Sequence, residues 1–179
     1  MPGAGHYPVE PIKQLVGVRL PDVSLTATDG SVVNPSLLNG ITVIYVYPRT
    51  SPPDGKTIPG WSDIPGAKGC IPQSCSFRDH HSALQNAGAA HVFGLSTQPS
   101  KYQQEVVQRL NLPFNLLSDV DLAFQRDLAL PIFEAEKMVL LHRVTFVARD
   151  AVIENVFHSI NDPAANADAV LDYLTRIGI

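Results

Sequence analysis

An apolar stretch at residues 41–47 is the feature that most restricts the fold of this 179-residue chain. Its sequence, Ile-Thr-Val-Ile-Tyr-Val-Tyr, is typical of a central strand that is covered on both faces. A loop rich in proline and glycine follows at residues 48–68, and a helical pattern begins near Cys70 and runs to Gly88. Together the three segments predict a strand–loop–helix unit at the centre of the domain.

Both cysteines of the chain lie in the predicted helix, at Cys70 and Cys75. Cys70 stands at or just before the helix N-terminus, where free backbone N–H groups and the helix dipole favour a thiolate. On an unbroken helix, two Cα atoms five residues apart are separated by roughly 8.5 Å, beyond the ~7 Å limit for a disulfide. A bond between the two sulfurs therefore requires the first helical turns to unwind, which suits a redox cycle better than a structural disulfide.

Strand and helix patterns alternate along the rest of the chain and predict an α/β fold. A hairpin late in the chain makes the central sheet mixed rather than purely parallel. We expect further strands at residues 18–20, 23–25, 31–33, 91–96, 114–117, 143–147 and 152–157, and further helices at residues 99–110, 122–128 and 167–177.

The composition narrows the possible partners and compartments. The net charge is only −4 and there is no basic run, so nucleic acid is not an expected partner. No apolar run is long enough to span a membrane, and residues 1–11 lack the apolar core of a signal peptide. A closely spaced cysteine pair favours a reducing, cytoplasmic setting. We expect residues 1–15 to be a flexible arm and residues 16–179 to form one domain with an inserted loop at 48–68.

The segment Gly69-Cys70-x4-Cys75-x-Phe77-Arg78-Asp79 resembles the active-site helix of the Q-type peroxiredoxins, also called bacterioferritin comigratory proteins. The resemblance covers about residues 16–177, since segments at residues 93–96, 113–119 and 142–146 also follow in the order of that family. It implies a thioredoxin-like fold, with a mixed central sheet flanked by helices. It also implies a thiol-dependent peroxidase that needs no cofactor, whether metal, haem or flavin.

The resemblance further implies a role for individual residues. Cys70 would attack the peroxide and become a sulfenic acid, and Cys75 would then form a disulfide with it. Arg143 occupies the position of an arginine that stabilises the thiolate and holds the peroxide oxygens. The implied partners are hydrogen peroxide or an organic hydroperoxide as substrate, and a thioredoxin or glutaredoxin-like reductant. Either a monomer or a homodimer is compatible with the sequence, and neither a nucleic acid nor a membrane partner is expected.

The chain departs from the family's active-site pattern, P-x3-T/S-x2-C. Ala67 stands where the pattern has a threonine or serine, and Pro48 follows the strand as the pattern's proline does but lies far upstream of Cys70. A hydroxyl from Thr50, Ser51 or Thr57 could replace the missing one if the loop folds back over the site as a wall or lid. We choose Thr50 because it is close to Pro48. The candidate catalytic residues are therefore Cys70, Cys75, Arg143, Pro48 and Thr50.

Other interpretations remain open at this point. Cys75 could pack in the core while an external thiol resolves the sulfenic acid, and Arg143 could form a surface ion pair. A copper-binding assembly protein of the same fold would use the two cysteines with His142 or His158, although proteins of that class use a C-x3-C spacing. A non-catalytic redox sensor is conceivable because the motif threonine is missing.

Overall fold

The computed structural model describes residues 7–178 and contains one large sheet and a separate hairpin. The helices are α1 Glu10–Lys13, α2 Cys70–Asp79, α3 His81–Asn86, α4 Ser100–Leu110, α5 Ala123–Leu128 and α6 Asn166–Ile177. Short 3-10 helices lie at Pro35–Leu37, Trp61–Asp63 and Pro163–Ala165. The strands are β1 Leu25–Ala27, β2 Val32–Val33, β3 Ile41–Val46, β4 Ala89–Ser96, β5 Leu116–Ser118, β6 Ile132–Ala135, β7 Met138–Leu141, β8 Val144–Arg149 and β9 Val152–Phe157.

The apolar stretch forms the central strand, as predicted. The seven-stranded sheet has the order β2-β1-β5-β4-β3-β8-β9, in which β3 pairs parallel to β4 and antiparallel to β8. Every residue of β3 is buried, because helices or loops cover both faces. Ile44 and Val46 belong to one apolar cluster, whereas Val43 and Tyr45 belong to another on the opposite face. This arrangement confirms the mixed, thioredoxin-like α/β fold.

The predicted long helix after Cys70 is divided into two, α2 and α3, at His80. The backbone of His80 leaves the helical conformation, with φ −94° and ψ 1°. Its imidazole Nδ1 lies 2.8 Å from the carbonyl oxygen of Ser76, and Nε2 lies 2.9 Å from Oδ1 of Asp168 in α6. These contacts attach the interruption between α2 and α3 to α6. Because Asp168 is 88 residues from His80, the local sequence pattern could not predict the interruption.

Two other elements differ from the sequence-based expectation. The β6–β7 hairpin was not predicted, because its turn residues Glu136 and Lys137 adopt left-handed backbone angles that Asn-Gly pairs usually supply. The strand expected at residues 18–20 is reduced to a single bridge between Arg19 and Val152. The hairpin matters for the site, because it packs beneath the loop at residues 48–68.

The segment expected to be a flexible arm is packed on the domain over its described part. Residues 10–13 form α1, and the side chains of Ile12 and Leu15 are only 2% and 9% exposed in the core. Burying two such side chains offsets the entropy lost by ordering the segment. The rest of that prediction, residues 1–6, lies outside the described residues. Among the helices at residues 7–178, none has the length and hydrophobicity needed to cross a bilayer.

Candidate active site

Cys70 is the first residue of α2, as predicted, and its side chain is only 4% exposed. The preceding Gly69 has a φ of 105°, in the left-handed region that favours glycine. A Cβ at that position would lie 2.8 Å from Cγ of Pro163, so a larger residue would collide with the proline ring. The close fit of Gly69 against Pro163 therefore fixes the start of α2, and with it the position of the Cys70 thiol.

Arg143 lies directly before β8 and contacts the thiol. Its Nη2 is 3.3 Å from Sγ of Cys70, and it also donates to the carbonyl oxygens of Gly66 and Lys68 at 3.2 and 3.1 Å. The side chain is only 4% exposed, and within residues 7–178 no carboxylate lies within 4.0 Å of it. A buried guanidinium without a carboxylate strongly favours an anion beside it, and the nearest group able to become one is the Cys70 thiol.

A buried polar chain holds Arg143 in place through Gln73 of α2. Gln73 is fully buried, and its Oε1 accepts a hydrogen bond from Nη1 of Arg143. Its Nε2 donates to Oδ1 of Asn166 at 3.0 Å, and that oxygen also accepts from Oγ1 of Thr145 at 2.7 Å. The chain links α2, β8 and α6 around the thiol. Sequence reasoning missed Gln73, although its position one helical turn after Cys70 places both residues on one side of the helix.

Cys75 lies five residues after Cys70 in α2 and is partly buried. Both cysteines are free thiols in this structure. Because α2 is continuous from Cys70 to Asp79, the geometric argument from the sequence applies: their Cα atoms are roughly 8.5 Å apart, too far for a disulfide. Any bond between them requires α2 to unwind locally.

Two tyrosines of the central strand region form the apolar back of the site. Tyr45 stacks on Phe77 of α2 with ring centroids 4.4 Å apart, and its hydroxyl lies 3.0 Å from Oγ of Ser74. Burial raises the pKa of Tyr45 and of the neighbouring Tyr47. Both phenols therefore stay neutral at physiological pH, and they add no charge behind the thiol.

The thiol opens on its other side into a cavity of about 210 Å³ that is lined largely by the loop at residues 48–68. Trp61 anchors this loop: it is 9% exposed and packs against Phe133 and Leu140 of the β6–β7 hairpin. The loop therefore forms one wall of the cavity. The residues around the cavity are Arg49, Ser51, Thr57, Trp61, Ser62, Ala67, Lys68, Gly69, Cys70, Ile71 and Pro72.

Comparison with known proteins identifies the family. A family profile described as Redoxin matches residues 15–171. The chain is 30% identical over 165 residues to the chloroplastic peroxiredoxin Q of Suaeda salsa, an alignment that covers 90% of this chain and 68% of the relative. The chain belongs to the Q-type peroxiredoxins. These proteins are thiol peroxidases, so the predicted family and enzyme class are confirmed.

Other similar proteins agree with this assignment. A putative peroxiredoxin bcp of Coxiella burnetii is 36% identical over 107 residues, which cover 59% of this chain and 60% of that protein. The fold is shared with the crystal structure of the peroxidoxin BcpB of Mycobacterium tuberculosis. That comparison gives a TM-score of 0.73 at 24% identity, with 92% of this chain and 98% of the other covered.

The two loop residues proposed from the sequence, Thr50 and Pro48, lie away from the cavity beside Cys70. Thr50, our choice from the sequence, is only 1% exposed; its hydroxyl lies 3.2 Å from Oε1 of Gln98 and does not line the cavity. Pro48 is buried at the end of β3 and also does not line it. Neither residue lines the cavity in this structure, and their catalytic roles stay predictions. The hydroxyls that line the cavity belong to Ser51, Thr57 and Ser62.

Ala67 stands where the pattern has a threonine, and its backbone replaces part of that environment. The carbonyl oxygen of Ala67 lies 3.7 Å from Sγ of Cys70, close enough to accept a hydrogen bond from the thiol. The methyl group is fully buried against Trp61 and Leu140. The side chain at this position therefore offers no hydroxyl to the site and helps to anchor the loop.

The copper-binding alternative finds no support in the geometry. Within residues 7–178, no three His, Cys, Asp or Glu side chains come together in a way that could hold a metal ion. His142 is enclosed between the rings of Tyr7 and Phe133, with centroid distances of 4.8 and 4.9 Å. Nδ1 of His158 lies 3.1 Å from the hydroxyl of Ser159. The ligand set that this alternative requires is thus not assembled around Cys70.

Proposed function

We propose that this peroxiredoxin reduces hydroperoxides with Cys70 as the attacking residue. The contact of 3.3 Å between Nη2 of Arg143 and Sγ of Cys70, at the N-terminus of α2, is the observation that carries the proposal. The guanidinium and the helix N-terminus both favour the thiolate, which is the nucleophile. Fixed donors of this kind also stabilise the charge that develops on the leaving oxygen.

The first step oxidises the thiol and reduces the peroxide. The Cys70 thiolate attacks the terminal oxygen of the hydroperoxide, so that an S–O bond forms while the O–O bond breaks. The departing oxygen takes up a proton and leaves as water or an alcohol, and Cys70 remains as a sulfenic acid. Arg143 stays hydrogen-bonded to the reacting atoms throughout because Gln73 holds it from behind.

The second step makes the disulfide and requires α2 to change. The Cys75 thiolate attacks the sulfur of the sulfenic acid, the S–S bond forms, and hydroxide leaves as water after taking up a proton. A dithiol reductant of the thioredoxin or glutaredoxin type then reduces the disulfide by thiol–disulfide exchange. The C-x4-C spacing on a continuous helix supports a cycle in which α2 is folded when reduced and partly unwound when oxidised.

The substrate class follows from the cavity and from one similar protein. The bacterioferritin comigratory protein of Xanthomonas campestris, which shares the fold, is described as having alkyl peroxide reduction activity. In the present chain, the cavity beside Cys70 offers Trp61 and Ile71 as apolar surfaces and is larger than hydrogen peroxide needs. We therefore include organic hydroperoxides among the proposed substrates.

Stopped-flow fluorescence of the reduced protein mixed with hydrogen peroxide tests the cycle. Trp61, the only tryptophan, lines the cavity and reports on it. We expect a rapid change, and mass analysis should show the loss of two hydrogens and a Cys70–Cys75 bond. Cys70→Ser should abolish peroxide consumption, whereas Cys75→Ser should allow one fast turnover and then stop at an oxidised Cys70.

Two outcomes would contradict the proposal. Full peroxide turnover by Cys70→Ser would remove Cys70 as the nucleophile. Sustained turnover by Cys75→Ser with a dithiol reductant, at the rate of the unmodified protein, would remove the intramolecular disulfide from the cycle while leaving the first step intact.

A further inference from the structure

Arg49 is a cation near Cys70 that has no role in the proposed peroxidase steps. It follows Pro48 at the end of the central strand region and lines the Cys70 cavity. Its guanidinium carbon lies 5.9 Å from the centroid of the Trp61 ring, in a cation–π contact. Over the described part of the chain, Arg49 has neither a carboxylate within 4.0 Å nor a side-chain hydrogen bond. A guanidinium that is positioned by an aromatic ring but lacks an anionic partner has its donors available.

The cavity around Arg49 is positively charged although the chain as a whole is acidic. The net charge of the protein is −4, yet Arg49 and Lys68 line the cavity together and no aspartate or glutamate is among its lining residues. Such a concentration of one sign of charge in a concave site raises the local concentration of anions. An anionic ligand is therefore the kind that this cavity is suited to bind.

The charge of Arg49 is distinct from the charge that acts on the thiol. Arg143 contacts Sγ of Cys70 from the protein interior and does not line the cavity, whereas Arg49 faces the space that a substrate must occupy. Arg49 also borders a second, mainly apolar cavity of about 380 Å³, which is lined in part by Leu122, Met138 and Leu140. A molecule that binds at Arg49 thus meets a cation and apolar surfaces on both sides of it.

We propose that Arg49 determines substrate specificity by binding the carboxylate of an anionic organic hydroperoxide. A guanidinium binds a carboxylate through two parallel hydrogen bonds, and Trp61 keeps that of Arg49 in place. The hydrocarbon part of the substrate then lies against Trp61 and Ile71, and the hydroperoxide group reaches Cys70. This inference rests on the proposed peroxidase function and specifies the substrate class of the same site.

A pair of substrates of nearly equal size tests the proposal. Cumene hydroperoxide is neutral, and its para-carboxylate analogue carries the negative charge while keeping the same apolar body. The rate constant for oxidation of the reduced protein is measured for each by stopped flow, without any reductant, so that only the peroxide step is observed. We expect the carboxylate analogue to react about tenfold faster at low salt, a ratio that should decrease as salt is added.

Substitutions at Arg49 test which group causes that preference. Arg49→Gln should bring the ratio of the two rate constants close to one, and Arg49→Lys should keep an intermediate ratio because it keeps the charge but not the fork of donors. Arg176→Gln is the matched control, because it removes the same charge from the last turn of α6. The control should retain the ratio of the unmodified protein.

A binding measurement provides a readout besides activity. Benzoate, added to the reduced protein, should quench Trp61 fluorescence in a saturable manner. Its affinity should fall about tenfold in Arg49→Gln and should be unchanged in Arg176→Gln.

Several results would overturn the inference. Equal rates for the two substrates in the unmodified protein would show that the cavity does not select for charge. An equal slowing of both substrates by Arg49→Gln would mean that Arg49 acts on the thiolate instead. If hydrogen peroxide oxidises the reduced protein in a parallel stopped-flow measurement, each of these results refutes the inference alone; if it does not, the proposed function itself has failed.

Discussion

The two sides of the Cys70 thiol are built in different ways. The inner wall consists of Arg143, Gln73 and Asn166, which come from three separate elements and are each less than 5% exposed. They are linked by hydrogen bonds from side chain to side chain. The outer wall consists of the loop at residues 48–68, which is a single segment with many exposed residues, held chiefly through Trp61.

We propose that this difference separates the reactivity of the thiol from the selectivity for substrates. A change in the inner wall leaves a buried donor or acceptor without a partner and alters the group that touches the reacting sulfur. A change in the outer wall alters what can approach the sulfur but leaves the sheet and α2 in place, as is usual for functional loops on a rigid scaffold. Substitutions in the two walls should therefore have effects of different kind as well as of different size.

The largest effect is expected for Arg143→Gln in the inner wall. The substitution removes the positive charge and the donor that contacts Sγ of Cys70, so the second-order rate constant with hydrogen peroxide should fall about 100-fold or more. The thiolate fraction, followed by ultraviolet absorbance against pH, should fall as well. Arg149→Gln, at the far end of β8, should change the rate constant by less than about twofold. A normal rate in Arg143→Gln would show that the inner wall does not control reactivity.

A smaller loss is expected for Gln73→Leu, which leaves Arg143 present but removes its support. We expect a rate constant about tenfold lower and a free energy of unfolding lower by about 1–3 kcal/mol, because Arg143 and Asn166 each lose a buried partner. Denaturant unfolding and stopped flow measure the two quantities. The same substitution at the exposed Gln85 of α3 should cost less than about 0.5 kcal/mol. Equal effects at the two positions would contradict the positioning role.

The outer wall should supply the hydroxyl that the active-site pattern lacks. Ser51 is the least exposed of the three serine and threonine residues around the cavity, so Ser51→Ala should lower the rate constant with hydrogen peroxide about tenfold. Thr50→Val should instead lower the stability by about 1 kcal/mol, because it removes the buried hydrogen bond to Gln98, and should change the rate little. The reverse pattern would restore Thr50 as the catalytic hydroxyl.

The smallest effect concerns the pH dependence of stability and His142, the residue before Arg143. Burial lowers the pKa of His142, so the unfolded state takes up a proton there at a higher pH than the folded state does. The contribution of neutral His142 to the free energy of unfolding is complete above the pKa of the unfolded state, about 6.5. It is lost as the pH falls towards the pKa of the folded state. His142→Phe should flatten the decline of the free energy of unfolding below about pH 6.5, by at most about 1.4 kcal/mol per pH unit. An unchanged slope in denaturant titrations would exclude His142 as a contributor.

The elements around the site that the sequence predicted are those with strong local signals. The stretch at residues 41–47 is apolar enough to be only a central strand, and the glycine, proline and cysteines that follow mark a helix start. The position of Arg143 came from resemblance to a family, and the structure places it on the thiol. For the strand and the helix start, the decisive information lies within a few residues of the feature, whereas the choice of Arg143 depended on a resemblance that covers most of the chain.

The parts that could not be predicted depend on contacts between distant residues. Gln73 is informative only once Asn166, 93 residues away, is known to accept its hydrogen bond. Thr50 was chosen because it is near Pro48 in sequence, but the loop takes another path and turns its hydroxyl to Gln98. An exposed loop with few apolar residues has no periodicity from which its path can be derived.

The break at His80 limits how far a change at Cys70 can spread. A helix melts cooperatively along a continuous run of backbone hydrogen bonds, and a new segment must be nucleated separately. Because α2 ends at Asp79 and α3 begins at His81, the ten residues of α2 are a helix–coil unit of their own. Leu84 is fully buried and anchors α3 in the core, in a cluster that also contains Val92 of β4 and Val170 of α6. In the proposed cycle, disulfide formation would thus melt at most three turns of helix, and the transition would not require global unfolding.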